Sequence, residues 1–153
     1  METKAITHRL PYKNKQSIIF GIQIGVPITI SGYPKENKKN IDSMALIDTG
    51  ATGSSISIKF AQAAQLKTYK RNKIQGFNGI AIVPVYKVDV LLPNGILFKN
   101  LEIAEFQNNF NFDFIIGMDI LSKGDMALTN AKGEMVFSFR IPPAETHIDF
   151  TLQ

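Results

Sequence analysis

The amino-acid sequence predicts a single, mainly β domain, a closed or folded-over β-barrel with one or two short helices. Its 153 residues are the length of one domain. Every even position between 18 and 30 is apolar, and the even positions between 80 and 92 are apolar or proline. This period of two is typical of half-buried strands. Pro93-Asn94-Gly95 follows the second run, and Asn-Gly favours a hairpin because both residues accept positive φ.

Shorter segments complete the predicted order of elements. The segment 18–30 is long enough for two strands bent at Gly25-Val26-Pro27, and Tyr33 to Asn40 is predicted as a lysine-rich loop. Ser57 is expected to cap a short helix over about 58–66. Further strands or apolar runs are predicted over Met44–Asp48, Ile96–Ala104, Phe112–Gly117, Met126–Thr129 and Met135–Ile141, with one helical turn over Asp119–Lys123.

Composition divides the chain into three parts. We expect a polar N-terminal arm over residues 1–16, one folded domain over 17–141, and a tail over 142–153 in which Ile148, Phe150 and Leu152 alternate with polar residues. The arm has no apolar signal core, and the period of two argues against a membrane helix in the uncharged stretch 16–34. We therefore expect a soluble, cytoplasmic protein that binds no membrane.

The residue types exclude several chemistries. The chain has no cysteine and two histidines, His8 and His147, near its ends, so we expect neither a metal nor a cofactor, and no cysteine nucleophile. Basic residues cluster in 1–40 and 59–73, but a net charge of +4 fits solubilising surface charge better than a nucleic-acid surface. We expect no nucleic-acid partner.

One segment carries recognisable chemistry, the run from Ala45 to Ser55 that contains Asp48-Thr49-Gly50-Ala51. Asp48 follows three apolar residues at the end of a predicted strand and has no cation close in sequence. Two structural interpretations compete with a functional one. Asp48 could form an Asx-turn with the backbone of Gly50, or the run 50–55 could be an anion-binding nest, although it lacks the lysine of a phosphate loop.

Three elements in order resemble the aspartic proteases. Asp-Thr-Gly-Ala after an apolar strand resembles their active-site loop, and Phe114-Ile115-Ile116-Gly117 resembles the apolar–apolar–Gly motif that precedes a short helix. Gly76-Phe77-Asn78-Gly79 lies between them, at the position of the flap. The resemblance covers about residues 18–141 and is closest to the single-lobed, retropepsin-like branch, in its bacterial and ubiquitin-shuttle relatives more than in the retroviral enzymes. It implies the acid-protease fold.

The resemblance also implies an activity and a partner. The activity would be that of an aspartic endopeptidase, in which two carboxylates about 3 Å apart share one proton and activate a water. This chain has one Asp-Thr-Gly, so a complete pair requires a homodimer in which each protomer supplies Asp48. The substrate would be an extended peptide or protein segment with apolar residues at the cut.

Roles for further residues follow from the same resemblance. Thr49 would reach the partner's active-site loop, Gly50 would admit the substrate backbone, and Ala51 would keep the floor of the cleft clear. Phe77 and Asn78, between Gly76 and Gly79, would cover the substrate, and Ile115 would line an apolar pocket. Taken alone, Gly76–Gly79 is equally compatible with an ordinary mobile turn. Ile115, with Ile116 and Gly117, is equally compatible with an ordinary core strand and turn.

The sequence departs from the retroviral pattern at two positions. Thr52 and Met118 stand where the retroviral enzymes use an aspartate and an arginine as an ion pair, so the dimer contacts must differ. Thr52 stays a candidate substrate-binding residue, and the tail 142–153 is a candidate dimer-interface strand. Two alternatives stay open: a non-catalytic peptide-binding module on the same fold, and a nucleic-acid-binding barrel that stacks bases on Phe77, Tyr69 or Tyr86.

Overall fold

Ten strands account for most of the folded chain. The structure is a computed structural model, and it describes residues 2–11, 17–27, 38–76, 78–107 and 110–152. Within these ranges the strands are β1 (Lys4–Pro11), β2 (Ile19–Pro27), β3 (Lys38–Ile47), β4 (Ser55–Ser57), β5 (Lys70–Gly76), β6 (Gly79–Leu92), β7 (Ile96–Phe106), β8 (Phe114–Ile116), β9 (Asp125–Ala131) and β10 (Glu134–Ile141). Helix α1 (Ile58–Ala63) follows β4, helix α2 (Met118–Leu121) follows β8, and 3₁₀ turns cover Pro93–Gly95 and Phe150–Leu152.

Six of these strands close into a barrel. Their order is β2-β3-β8-β4-β7-β6, and β2 pairs again with β6 to close the ring, with Gln23–Gly25 opposite Asp89–Leu91. Most pairs are antiparallel, but β3–β8 and β4–β7 are parallel. Strand β5 lies outside the ring as the second arm of a hairpin with β6. The prediction of a mainly β chain with a closed barrel and two short helices is confirmed.

A smaller sheet packs against the barrel. Its order is β1-β10-β9, and the β1–β10 register runs from Lys4 opposite Ile141 to Pro11 opposite Glu134. The rings of Phe20 in β2 and Phe137 in β10 stack with centroids 6.1 Å apart, which joins the two sheets in one core. β1 lies within the segment that we expected to be a polar arm, and it buries Ile6 and Leu10.

The period of two in the sequence produces the core directly. In β2 the even residues Phe20, Ile22, Ile24 and Val26 are all buried. Successive side chains of a strand point to opposite faces, so one face of β2 fills the barrel. The second half of the predicted bent pair, residues 28–30, lies outside the described residues.

Two predicted boundaries were wrong. Strand β3 begins at Lys38, inside the predicted lysine-rich loop, because backbone pairing with β2 continues through its polar half to Pro27 opposite Lys38. Helix α1 ends at Ala63, before the predicted end near residue 66, because Gln65 takes a left-handed φ of 54°. Backbone pairing sets the start of β3, and backbone conformation sets the end of α1. The polarity of the side chains, on which the predictions relied, indicates neither position.

The predicted hairpin turn is confirmed between β6 and β7. Asn94 and Gly95 take φ of 60° and 72°, the positive values that Asn-Gly accepts at low cost. The Lys4 ammonium donates to the carbonyl oxygen of Gly95 at 2.9 Å, and the Asn94 amide donates to the carbonyl oxygen of Ala5. The turn therefore holds the first strand as well as joining β6 to β7.

The C-terminal tail is anchored to Asp125 where it leaves β10, and it is exposed beyond this point. The backbone N–H of Ala144 donates to Asp125 Oδ2 at 2.6 Å, and the Arg140 guanidinium donates to the same oxygen at 2.9 and 3.0 Å. The Ala144 hydrogen bond, followed by that from Arg140, holds the pKa of Asp125 below its usual value. Beyond this anchor the apolar side chains of Ile148, Phe150 and Leu152 are each more than 70% exposed.

Helix α1 is capped by the buried Ser57, and we expect that removing the serine hydroxyl destabilises the fold. Ser57 Oγ accepts from the N–H of Phe60 at 3.0 Å and donates to Asp113 Oδ1 at 2.6 Å. Ser57→Ala leaves both partners unpaired, so we expect the free energy of unfolding to fall by about 1–2 kcal/mol. Urea unfolding measures it. The exposed Ser122→Ala is the control, and equal midpoints for the two variants would contradict the expectation.

Candidate active site

Asp48 lies where the chain leaves a barrel strand. Its N–H donates to the carbonyl oxygen of Ile116 at 3.0 Å, one step beyond the parallel register that pairs Ile47 with Ile116. The carboxylate is half-buried, and its Oδ1 accepts the N–H of Gly50 at 2.8 Å. Among the described residues no hydrogen bond reaches Oδ2. The Gly50 hydrogen bond is the contact that the Asx-turn interpretation predicts, and it fixes the orientation of the carboxylate.

The loop that carries Asp48 is fixed to the start of helix α2. The N–H of Met118 donates to the carbonyl oxygen of Ala51 at 2.8 Å, and the N–H of Asp119 donates to that of Thr52 at 3.1 Å. Gly117 sits where these two segments touch. A Cβ atom at this position would lie 2.7 Å from the carbonyl carbon and oxygen of Gly53, so only glycine allows the approach.

A side-chain network that the sequence analysis missed completes this junction. Asp119 Oδ1 accepts from the backbone N–H and the hydroxyl of Ser54, at 2.9 and 2.7 Å, and from the N–H of Ile120 at 3.0 Å. The Ser54 hydroxyl in turn accepts the N–H of Gly117 at 3.0 Å. An aspartate in the first turn of a short helix was the available signal, since such residues usually accept backbone N–H groups.

Ile115 shares a face of the sheet with the candidate catalytic residue. It is the register partner of Leu46, and Asp48 follows Leu46 by two positions, which returns the side chain to the same face of an extended strand. Its neighbours Phe114 and Ile116 are fully buried in the core, whereas Ile115 is half-buried. The structure therefore gives Ile115 the exposure and the side of the sheet that a pocket residue needs.

The segment predicted as a flap forms the end of the β5–β6 hairpin. Gly76 and Gly79 are the last register pair, Gly79 has a φ of 101°, and Asn78 is exposed. Phe77, the other residue predicted at the tip, lies outside the described residues. The hairpin thus stands at the predicted place in the chain and projects from the ring.

A groove of about 530 Å³ separates the hairpin from the Asp48 loop. The loop lines it with residues 50–55, β5 with Asn72, Ile74 and Gln75, and β6–β7 with Val85 and four residues between 102 and 106. Of the predicted substrate-binding residues, Gly50, Ala51 and Thr52 line this groove. The hairpin residues Gly76, Asn78 and Gly79, together with Ile115, lie outside its lining.

The segment that contains the Asp48 loop and helix α2 identifies the family of this chain. A family model described as "gag-polyprotein putative aspartyl protease" matches residues 37–123, more than half of the chain. The match runs from the start of β3 through the Asp48 loop to the end of α2. The chain belongs to the retropepsin-like aspartic proteases.

One solved structure agrees with this retropepsin-like assignment at the level of the fold. The chain is similar to a retropepsin-like aspartic protease from Rickettsia conorii, with a TM-score of 0.54, 14% sequence identity, and coverage of 91% of this chain and 95% of that one. The retroviral protease-like domain of Ddi1 from Leishmania major gives a TM-score of 0.39 and 22% identity over 69% of this chain and 79% of that one. No curated protein matches the chain significantly. The predicted family and acid-protease fold are confirmed.

In this retropepsin-like chain a buried tyrosine of β6 is hydrogen-bonded to Glu105 of β7. The Tyr86 hydroxyl donates to Glu105 Oε2, and Tyr86 is 6% exposed. Burial, and after it the hydrogen bond to Glu105, raises the pKa of Tyr86 to about 12. The neutral phenol is therefore favoured in the folded chain.

This raised pKa predicts a loss of stability at alkaline pH. Tyrosine in an unfolded chain ionises near pH 10, so the folded chain holds this proton longer, and its contribution to stability disappears as pH rises from about 10 to about 12. Near-ultraviolet titration of tyrosinate should show a late step near pH 12. Tyr86→Phe should remove that step. A parent curve without this late step would contradict the assignment.

Proposed function

We propose that this chain is an aspartic endopeptidase that acts as a homodimer. The observation that supports it most is the half-buried Asp48 at the β3–β8 junction, whose carboxylate is oriented by the Gly50 N–H at 2.8 Å. A single chain holds one Asp-Thr-Gly, and acid–base hydrolysis of a peptide needs two carboxylates. The two-fold symmetry of a homodimer would supply the second one.

The chemistry requires nothing beyond the two carboxylates and a water. The ionised Asp48 would take a proton from the water, whose oxygen attacks the carbonyl carbon of the scissile bond. The other Asp48 would donate its proton to the carbonyl oxygen, giving a gem-diol. A proton then passes to the amide nitrogen, the C–N bond breaks, and the two products are an acid and an amine. No covalent intermediate forms with the enzyme.

The neighbouring residues would position the two chains and the substrate. Thr49, which is exposed on the loop, would contact the partner's active-site loop. Gly50 would let the substrate backbone approach and would accept a hydrogen bond from it. Ala51 and Thr52 line the groove and would bind the substrate there. Ile115 would contact a side chain next to the cut.

The hairpin and the tail complete the proposal. Gly76, Phe77, Asn78 and Gly79 would close over the bound peptide as a flap. The tail 142–153 would pair with the partner subunit, and this contact would bury the exposed apolar side chains of the tail. Among the described residues neither helix is long and apolar enough to span a membrane. A cytoplasmic location is part of the proposal.

Two measurements test this function together. The protein is incubated with an unfolded protein substrate at several pH values, with and without a statine inhibitor that mimics the gem-diol. We expect inhibitor-sensitive cleavage that is fastest at acidic or mildly acidic pH, because the pair must keep one proton. Sedimentation at micromolar concentration should show a dimer, and specific activity should rise with protein concentration. A monomer without cleavage at any pH would overturn the proposal.

A second candidate is a peptide-binding module without catalysis. The groove of about 530 Å³ is formed within one chain, so it needs no partner to hold a peptide. This candidate expects a monomer that binds extended peptides and leaves them intact.

A further inference from the structure

The free edges of the two sheets differ in charge. Among the described residues three strands have one side that no other strand pairs: β1 and β9 in the smaller sheet, and β5 in the hairpin. Charged side chains and proline on an edge strand oppose pairing with another chain. Two of these edges have such residues, Lys4, Arg9 and Pro11 in β1, and Lys70, Arg71 and Lys73 in β5.

Strand β9 lacks this protection. Its one charged residue, Asp125, is the first of the strand, and Oδ2 of Asp125 already accepts from the Arg140 guanidinium and the Ala144 N–H. From Met126 to Ala131 the strand is uncharged, and every residue of this stretch is exposed. An exposed, uncharged edge strand offers N–H and C=O groups to a further strand.

The core-facing side of β9 is apolar as well. Met126 and Leu128 are the register partners of the buried Phe139 and Phe137 of β10. Directly opposed residues of paired strands lie on the same face of a sheet, so these two side chains continue the apolar face of β10. They are nevertheless 42% and 51% exposed, since β9 is the last strand of the sheet. A further strand beside β9 would bring side chains against them.

A second copy of β9 fits this edge. Two identical strands that pair antiparallel are related by a two-fold axis, which is the symmetry of a closed dimer. Leu128 is the middle residue of β9 (Asp125–Ala131), so full overlap of the two strands brings it opposite the partner's Leu128. Met126 then faces the partner's Asn130, and no two like charges are opposed.

The C-terminal tail begins at the same edge. Ala144 is bound to Asp125, the first residue of β9, and the exposed side chains of Ile148, Phe150 and Leu152 follow it along the chain. A strand of seven residues buries less area than a stable dimer needs, so these apolar side chains are expected to add to the contact.

We propose that β9 pairs antiparallel with the β9 of a second copy, with Leu128 at the two-fold axis, so that two sheets of three strands become one sheet of six. This interface rests on the proposed function for the existence of a homodimer, and it names the surface that forms the dimer. Residues 122–124 connect β9 to helix α2, and the backbone of Met118 and Asp119 in α2 binds the Asp48 loop. The interface therefore lies a short stretch of chain from the loop that each copy must supply.

Charges placed at the axis test this register. In Leu128→Lys two ammonium groups would face each other, and in Leu128→Glu two carboxylates would. We expect each variant to raise the dimer dissociation constant roughly tenfold or more in sedimentation. An equimolar mixture of the two should recover the dimer, because lysine then faces glutamate, and added salt should weaken the recovery.

A leucine of similar exposure in β7 supplies the matched control. Leu97→Lys introduces the same charge away from β9 and should dimerise like the parent. If Leu128→Lys also dimerises like the parent, or if the parent is a monomer, the proposed interface is overturned. Loss of the dimer on removal of residues 146–153, with Leu128→Lys still dimeric, would assign the interface to the tail instead.

Cysteine substitution measures the same contact without a charge. The chain has no cysteine, so Leu128→Cys contains a single thiol. Opposed residues of antiparallel strands have Cα atoms about 4.5–5.5 Å apart, a distance that a disulfide spans. Mild oxidation should therefore link most of Leu128→Cys into a covalent dimer, and Leu97→Cys should stay largely unlinked. Equal linking of the two variants would contradict the interface.

Cleavage assays separate this interface from the proposed function. If Leu128→Cys links into a dimer and neither it nor the parent cleaves peptides at any pH, the interface stands and the proposed function falls. If the parent cleaves as a dimer and Leu128→Lys dimerises and cleaves equally well, the proposed function stands and the β9 interface falls.

Discussion

Asp48→Asn is expected to lower peptide cleavage by about 10³-fold or more while the fold is kept. Asparagine has the same shape, and its carbonyl oxygen can still accept the Gly50 N–H that Asp48 Oδ1 accepts at 2.8 Å. It cannot take a proton from water, so the pair loses its base or its acid. The effect should therefore appear in kcat, with the thermal midpoint and the dimer nearly unchanged.

The matched control lies on the same strand. Asp42 is an exposed residue of β3 whose carboxylate accepts from Gln23 at 2.9 Å, and Asp42→Asn should cleave like the parent. Mixing adds a test of the shared site. When equal amounts of parent and Asp48→Asn exchange subunits at random, about a quarter of the dimers keep two aspartates, and activity should fall to about that fraction of the activity of an undiluted parent sample. Activity that falls only in proportion to the parent chains would mean that each chain acts alone.

Gly117→Ala should damage both stability and cleavage. The new methyl group would lie 2.7 Å from the carbonyl carbon and oxygen of Gly53 and 2.9 Å from the carbonyl oxygen of Ala51. These are backbone atoms of the loop that carries Asp48, and they cannot rotate away as a side chain would. Either the loop or the β8–α2 corner must move, so we expect the free energy of unfolding to fall by about 2–3 kcal/mol.

A glycine with free space provides the comparison for this variant. A Cβ atom at Gly21 in β2 meets nothing within 4 Å, so Gly21→Ala should change the free energy of unfolding by less than about 0.5 kcal/mol. Urea unfolding of the two variants and the parent measures the difference. Cleavage by Gly117→Ala should fall even under conditions where the variant is fully folded. If Gly117→Ala were as stable and as active as the parent, the close contact between Gly117 and the Asp48 loop would not be required.

Much of the barrel could be predicted because one face of each strand fills the core. The alternation in β2, the Asn94-Gly95 turn and the Ser57 cap each have a local cause, and the structure has all of them. The same holds for the position of Asp48 at the end of an apolar strand. These features could be predicted because each depends on residues that are close together in the sequence. In β6 the alternation fills the core only from Tyr86 to Leu92, because Ile80 and Ile82 lie in the hairpin with β5 and are exposed.

The rest depends on contacts between distant parts of the chain. The polar half of β3 carries no alternation, and β2 alone makes it a strand. The closing pairs between β2 and β6 involve three residues of each, too few to leave a pattern. The Ser54–Asp119 network joins residues 65 positions apart, and the place of Asp119 in the first turn of a helix does not indicate Ser54 as its partner. Such partners become visible only when the chain has folded.

The pairing of β1 with β10 has a consequence for how the chain folds. Lys4 is paired with Ile141, so the smaller sheet joins the two ends of the sequence. Closing so long a loop loses much chain entropy before any contact is gained, and proteins rich in distant pairings fold in about milliseconds to seconds. A chain emerging from the ribosome cannot pair β1 until β10 has been synthesised. During this interval Ile6 and Leu10 lack the partners that bury them in the folded chain.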